Sequence, residues 1–386
     1  MRDLTTHLVA SGCAVEVVCG SDPYAPEVDE DEVEDPRARG VVVRKTPRLF
    51  GGDIHRLKLL KQIVFYVCCA PLLLVRRRPT VFVTQTNPPL LVALVTIVAL
   101  LHRRPFVIIA QDVYPELLFA HGMVRRDGVM GRLLRRLFGW AYRRAAKVVA
   151  LGDVMRQRLI EKGVPAERVE VISNWATGDV SVDRAKANEL RAEWSLEDHF
   201  VILYSGNIGI AHDVETPIAA LKLLLDRSPN TRLVFMGKGT RLAAAQRAAT
   251  NAGVAHAVQF RPLVPSSRLP QVLGVADVAL VTLLEGFEGL VVPSKLFGYM
   301  SRGLATVYVG PPSDAEIVLR ASGAGICRRN GSAAATAEAI QFLIEHPDQL
   351  RSMGAAGARY YESHLSRAIG LSKYARLIAD VAALAG

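Results

Sequence analysis

The stretch from Glu285 to Gly303 holds the residues of this sequence best suited to grip an anion. A glycine-rich segment leads into Pro293 and Ser294, which open a short helical pattern with Lys295 in its first turn. A helix N-terminus offers unpaired backbone N–H groups and about half a positive charge to an anion. Lysine adds a compact ammonium on a flexible stem, which suits a diphosphate. Glu285 and Glu288, just upstream, can accept hydrogen bonds from hydroxyl groups. An anion grip beside hydroxyl acceptors points to a nucleotide-sugar. The plainer reading is Ser294 as a simple N-cap and Lys295 as a solvated surface lysine.

Other candidates follow short apolar runs, where ligands of open α/β sheets bind beyond the carboxyl ends of strands. Gly206-Asn207-Ile-Gly209 follows Phe200–Ser205, and its glycines let backbone approach a phosphate. His212, three residues on, adds positive charge if a diphosphate raises its pKa, or else caps a helix. Gly237-Lys238-Gly239 follows Arg232–Met236 and is a short loop suited to a nucleoside. Arg261-Pro-Leu-Val264 follows the next run and can present backbone groups to a base. In the first half, Asn87-Pro-Pro89 follows Thr80–Thr84, and Gln111-Asp-Val-Tyr-Pro-Glu116 follows Phe106–Ala110. Asp112 is thereby expected at a strand end facing an interdomain cleft, where it accepts a hydroxyl's hydrogen bond or caps the next helix. The sequence holds no metal-ligand cluster, G-x-S-x-G elbow, Walker A loop or G-x-G-x-x-G fingerprint.

The elements that must position these residues alternate: short β-type runs, then Ala/Leu/Arg-rich helical patterns, the arrangement of parallel α/β domains. At 386 residues, half of them hydrophobic, the chain is expected to form two doubly wound Rossmann-like domains facing a cleft. The first is expected over residues 1–173 and the second over 174–359, joined near Asn174-Trp175. A long helical pattern from Ala355 to Leu384 is expected to cross back, completing the first domain with residues from about 360 to 386. The chain opens with a helical pattern, Asp3–Ala10, where a doubly wound domain normally opens with a strand and a Gly-containing loop. The first strand of the N-terminal domain is therefore expected to be missing, unless the sheet has a different edge.

Five scattered cysteines without C-x-x-C spacing argue against a disulfide framework or zinc site and for a reducing cytoplasm. The opening residues do not read as a secretory signal. The net charge of +10 is uneven: from Arg44 to Lys147 there are 19 Lys+Arg against 4 Asp+Glu. An acidic run from residue 27 to 35 reads as a solvated loop. Basic clusters at residues 76–78 and at Arg103-Arg104 follow the apolar runs Ile63–Val75 and Leu90–Leu101, both too short to span a bilayer. Each run alone reads as a buried helix; with the clusters beside them they fit peripheral contact with an anionic membrane. Nucleic acid is disfavoured, because the clusters lack interleaved aromatics.

Taken in order, Asn87-Pro-Pro89, Asp112-Val-Tyr-Pro-Glu116, Val171-Ile-Ser-Asn174-Trp175, Gly206–Gly209, Gly237–Gly239, Val292-Pro-Ser-Lys295 and Tyr299-Met-Ser-Arg-Gly303 resemble the retaining family 4 glycosyltransferases of the GT-B class. Bacterial enzymes of surface-polysaccharide assembly, colanic-acid and L-fucosamine-type transferases among them, are the nearest group. The resemblance implies a hexosyl- or N-acetylhexosaminyl-type transferase that needs no metal or cofactor. A UDP- or GDP-linked sugar is its co-substrate, and a lipid-linked or polysaccharide chain at the inner face of the cytoplasmic membrane is its acceptor. It implies that Lys295 and the helix opened by Ser294 steady the leaving diphosphate. Gly206 and Asn207 would lie against the phosphates, Lys238 near the nucleoside, Glu285 or Glu288 at sugar hydroxyls, and Asp112 at the acceptor. The sequence departs from the family pattern at Gly298, where a ribose-binding Glu is common, and at His212, where a Lys is frequent. A nucleotide-sugar 2-epimerase shares such a domain pair but needs acidic and histidine groups flanking the sugar, and no obvious set stands here. An inactive binding partner in a polysaccharide-assembly complex is the non-enzymatic alternative.

Overall fold

The structure, a computed structural model, describes residues 1–20, 40–46, 58–75, 79–176 and 184–384. The acidic run at 27–35 and the basic cluster at 76–78 lie outside them. The chain divides into one unit of Met1–Ser173 with Ala368–Gly386, and a second of Asn174–Arg367.

The first unit begins with α1 (Arg2–Ala10), β1 (Glu16–Cys19), β2 (Val42–Lys45) and α2 (Lys58–Leu74). It continues through β3 (Phe82–Gln85), α3 (Leu91–His102), β4 (Phe106–Ile109), α4 (Glu116–Ala120), α5 (Val129–Arg144), β5 (Lys147–Ala150), α6 (Asp153–Glu161) and β6 (Val169–Val171). All pairings are parallel, and the sheet is in two pieces: β1 with β2, and β3-β4-β5-β6 in that order. Among the described residues no strand joins the pieces. The β4 sequence Phe-Val-Ile-Ile is buried at every position, as a strand covered on both faces requires. Neither β1 nor β2 contains a buried residue.

The second unit runs α7 (Arg184–Glu193), β7 (Phe200–Ser205), α8 (Glu215–Leu225), β8 (Thr231–Met236), α9 (Leu242–Asn251), β9 (Val258–Arg261), α10 (Leu269–Gly274) and β10 (Val278–Thr282). After them come α11 (Lys295–Met300), β11 (Thr306–Val309), α12 (Asp314–Ser322), β12 (Gly325–Arg328), α13 (Ala333–Glu345) and α14 (Pro347–Tyr360). Its six parallel strands stand in the order β12-β11-β10-β7-β8-β9. The order turns at β7, whose neighbours are β8 on one side and β10 on the other, so a topological switch point opens beyond the ends of β7 and β10. The β10 residues Val-Ala-Leu-Val-Thr are all buried, and Tyr204, Phe235 and Leu280 pack in the core.

Two expectations need correction. The single long helix expected from Ala355 to Leu384 is two helices: a π-helical turn at Tyr361–Leu365 ends at Ser366, whose φ of −62° and ψ of 156° leave the helical region. α15 (Arg367–Ala383) follows. The apolar runs read alone as buried helices form α2 and α3, but each leaves a side in solvent, with Val67 at 65% and Leu101 at 67% exposure.

Candidate functional site

Two glycine loops meet beyond β7 and β8. Gly237 and Gly239 both have φ of +154°, a conformation that L side chains rarely adopt. A Cβ on Gly237 would stand 1.9 Å from the Gly206 carbonyl oxygen, and one on Gly239 would stand 2.2 Å from that of Ile208. Glycine is required because backbone touches backbone. The contact is locked by the Gly206 N–H donating to Met236 O at 2.8 Å and the Ile208 N–H donating to Lys238 O at 2.8 Å. Gly206 has φ of +122°, and a Cβ there would lie 3.7 Å from Lys295 Cε. The Asn207 side chain lies beside Gly209 and Gly239.

Lys295 is the chemical centre of this arrangement. The residue is half-buried, but its Nζ is shut off from solvent and has no hydrogen-bond partner. The Nζ sits over the Tyr204 ring, 3.4 Å from its centroid, so the ring's negative face is its compensation. Burial pushes the amine well below the ordinary lysine range. Tyr204 is itself fixed by donating to Asn207 O at 2.8 Å. From α11, Tyr299 places its hydroxyl on β7, accepting from Ser205 N–H at 2.8 Å.

His212 completes the group. Its Nδ1 lies 2.7 Å from Thr282 O at the end of β10; a carbonyl only accepts, so Nδ1 carries the proton. Burial and the neighbouring Lys295 hold its pKa down to about 3. The ring as it stands is neutral, with its proton on Nδ1; the positive charge expected of it is tied to a neighbouring diphosphate. Behind it, the buried Asp213 accepts from Thr216 N–H at 3.0 Å, Thr216 Oγ1 at 2.6 Å and Asn330 Nδ2 at 2.8 Å. Asn330 also donates to Leu283 O at 2.9 Å, tying the β10 loop to the β7 loop.

The structure therefore gathers Gly206, Asn207, Gly209, His212, Gly237, Gly239 and Lys295 at the switch point and adjoining loops, with Lys238 exposed between its glycines. The helix beside Lys295 is weaker than expected. It has six residues, and Ser294 makes no side-chain cap bond. The polar feature at this helix end is the Lys295 amine itself. Glu285 is exposed, while Glu288 turns to its own loop and accepts from Gly286 N–H at 2.8 Å. Val264 lies half-buried in the loop after β9, and Asn174 is half-buried at the start of the second unit. At Gly298 an added Cβ would meet only Arg302 Nη1, at 3.9 Å.

In the first unit, β3 and β4 are neighbours, so Asn87 and Asp112 stand just beyond adjacent strand ends. The Asp112 N–H donates to Thr86 Oγ1 at 3.1 Å, and burial raises its carboxyl to about 6. The Asn87–Pro88 and Tyr114–Pro115 peptides are cis. Glu116 is engaged by Lys162, with Nζ to Oε2 at 2.5 Å.

Sequence reasoning missed Tyr204, Thr282, Tyr299 and Asp213. Tyr204 and Thr282 lie at the ends of runs that read as ordinary core strand, and nothing local marks them out; Tyr299 enters only within the Tyr299–Gly303 segment of the resemblance, with no role of its own. Asp213 followed by Thr216 does carry a capping spacing that a closer reading could use.

Comparison with known proteins bears on the whole chain. Residues 1–175 match the family described as glycosyl transferase 4-like domain, and residues 186–360 match glycosyl transferases group 1. A probable glycosyltransferase, WbjE of Pseudomonas aeruginosa, is 27% identical over 92% of this chain and 85% of its own length. The putative colanic acid biosynthesis glycosyl transferase WcaI of Escherichia coli K12 is 34% identical over 40% of this chain and 38% of its own. Anabaena HepE, solved with UDP and glucose, superposes with a TM-score of 0.73 at 15% identity, over 98% of this chain and 95% of that one.

Proposed function

This chain is a GT-B glycosyltransferase, made of a glycosyl transferase 4-like domain followed by a group 1 domain, and from that premise we propose that it moves a hexosyl or N-acetylhexosaminyl unit from a UDP-linked donor to a lipid-linked or polysaccharide acceptor. The carrying observation is the unpartnered Lys295 Nζ, buried against Tyr204 at the switch point. A donor diphosphate supplies the anion that this amine lacks. Lys295 then stabilises charge that grows on the leaving diphosphate, a contact strongest in the transition state. Backbone at Gly206 and Asn207 lies along the phosphates, and Lys238 beside the nucleoside. Asp112, in the first unit, holds an acceptor hydroxyl. Transfer keeps the anomeric configuration and needs no metal, and no side chain is assigned as nucleophile. Support for a nucleotide-sugar comes from the UDP and glucose bound by HepE. Support for a role in polysaccharide assembly comes from WcaI, named for colanic acid biosynthesis, and support for contact with the inner face of the cytoplasmic membrane comes from the basic first half.

Thermal-shift titration with UDP, GDP and their sugars tests the donor assignment. UDP is expected to stabilise the wild type. Lys295→Ala is expected to weaken UDP by roughly 10- to 100-fold, the worth of a charge-assisted bond to phosphate. Equal shifts in both proteins would sink the role given to Lys295. Product anomer by NMR, and turnover with added chelator, check retention and metal independence.

A further inference from the structure

We infer that Tyr204 is a positioning residue for the donor diphosphate: its ring seats the Lys295 amine while its hydroxyl aligns the Gly206–Asn207 backbone. This role rests on the reading above, in which Lys295 meets the donor. Tyr204 lies in β7, two residues before Gly206, and is buried. Three groups of the site converge on it. The Lys295 Nζ stands 3.4 Å from its ring centroid. Its hydroxyl donates to Asn207 O at 2.8 Å, drawing the loop back onto the strand that leads into it. His212 packs edge-on, with ring centroids 5.7 Å apart and planes at 78°. Phe235 of β8, at 5.5 Å, wedges the ring from the core.

A lysine is a loose group unless something orders it, because its four-carbon stem has many rotamers. The base of the Lys295 stem is fixed: Tyr299, one helical turn on, accepts from the Ser205 N–H at 2.8 Å and pins α11 to β7. The tip has no hydrogen-bond partner, so the negative face of the Tyr204 ring is what holds it. Held there, the stem passes Gly206, with Cε 3.7 Å from the point where a Cβ would stand. An amine already seated meets an arriving diphosphate directly. An unseated one lowers the apparent affinity by the fraction of time it spends elsewhere. An aliphatic side chain at position 204 would fill the core equally well but would offer the ammonium no negative face. The aromatic ring therefore serves the cation, and the hydroxyl serves the loop.

Isothermal titration of the full chain with UDP tests this in rings of nearly constant shape. Tyr204→Phe keeps the face and removes the hydroxyl bond. It is expected to weaken UDP by roughly 2- to 10-fold, with or without Lys295. Phenylalanines carrying one, two and three fluorines at position 204 keep the packing while draining the negative face. UDP is expected to weaken step by step along that series, by roughly 10-fold at three fluorines. In a Lys295→Ala background the same series is expected to be flat, because the ring then has no cation to seat. A series that is flat with Lys295 present overturns the seat, as does one in which fluorine tightens UDP because the amine must leave the ring. In either case a loss of UDP affinity in Lys295→Ala alone would leave the donor role of Lys295 standing. Equal UDP affinity in wild type and Lys295→Ala would overturn that role and the seat together. A fluorine series that weakens UDP equally in both backgrounds assigns Tyr204 to packing alone and also overturns the seat.

Discussion

At the scale of single residues, burial sets the chemistry. His212 is held neutral because its ring is buried beside Lys295, with a pKa of about 3 against an ordinary 6.5. Between those values the unfolded chain binds a proton that the folded chain refuses. Stability therefore falls as pH drops through that window, by up to about 1.4 kcal/mol per pH unit. His212→Gln is expected to flatten that slope in urea titrations run from pH 7 to pH 4, and an unchanged slope would show that the ring is not the group responsible. Asp112 shifts in the opposite sense: burial raises its carboxyl to about 6. If its ionised form holds the acceptor, kcat/KM declines as pH falls through about 6, and Asp112→Asn lowers kcat/KM and removes that limb. A limb that persists in the variant would assign it elsewhere. Neither shift is legible in sequence, because each depends on what other elements place around the group.

At the scale of elements, the two glycine loops are the part a reader of the sequence can trust most. Gly206–Gly209 and Gly237–Gly239 follow hydrophobic runs, and the structure places both runs as adjacent strands with loops in contact. Glycine at position 237 is a steric demand, and glycine at 298 is not. Gly237→Ala is expected to cost about 3 kcal/mol or more and to lose UDP stabilisation, since a Cβ would collide with the Gly206 carbonyl at a positive φ. Gly298→Ala, inside α11 where a Cβ makes only an ordinary contact with the Arg302 side chain, is expected to stabilise by about 0.5–1 kcal/mol. Thermal melts of the two variants check both signs. The helix at Lys295 was the less legible element. Its starting residue follows from Pro293 and Ser294, but its six-residue length follows from the chain turning at Ser301–Gly303 into β11, which local pattern does not announce.

At the scale of the molecule, strand runs were legible because fully buried parallel strands are apolar throughout, as β4 and β10 are. The outward faces of α2 and α3 were not, because an apolar helix has the same composition whether its neighbours enclose it on one side or on all. The break at Ser366 was hidden for a similar reason: the residues on both sides are helical by propensity. The two sheets differ in a way that reaches beyond their architecture. The second unit's β10 is buried along its length between β7 and β11, whereas among the described residues β1 and β2 pair only with each other and contain no buried residue. Peptide amides in the two places should lose their protons to solvent by different routes. Those donating between β1 and β2, such as Val42 and Thr46, are expected to exchange through a local opening at a rate nearly insensitive to dilute denaturant. Those of Ala279 and Leu283 should wait for opening of the whole unit and quicken steeply with it. Hydrogen–deuterium exchange by mass spectrometry, repeated across low urea, would find the first unit loosening at its small ribbon while the Lys295 pocket stays closed.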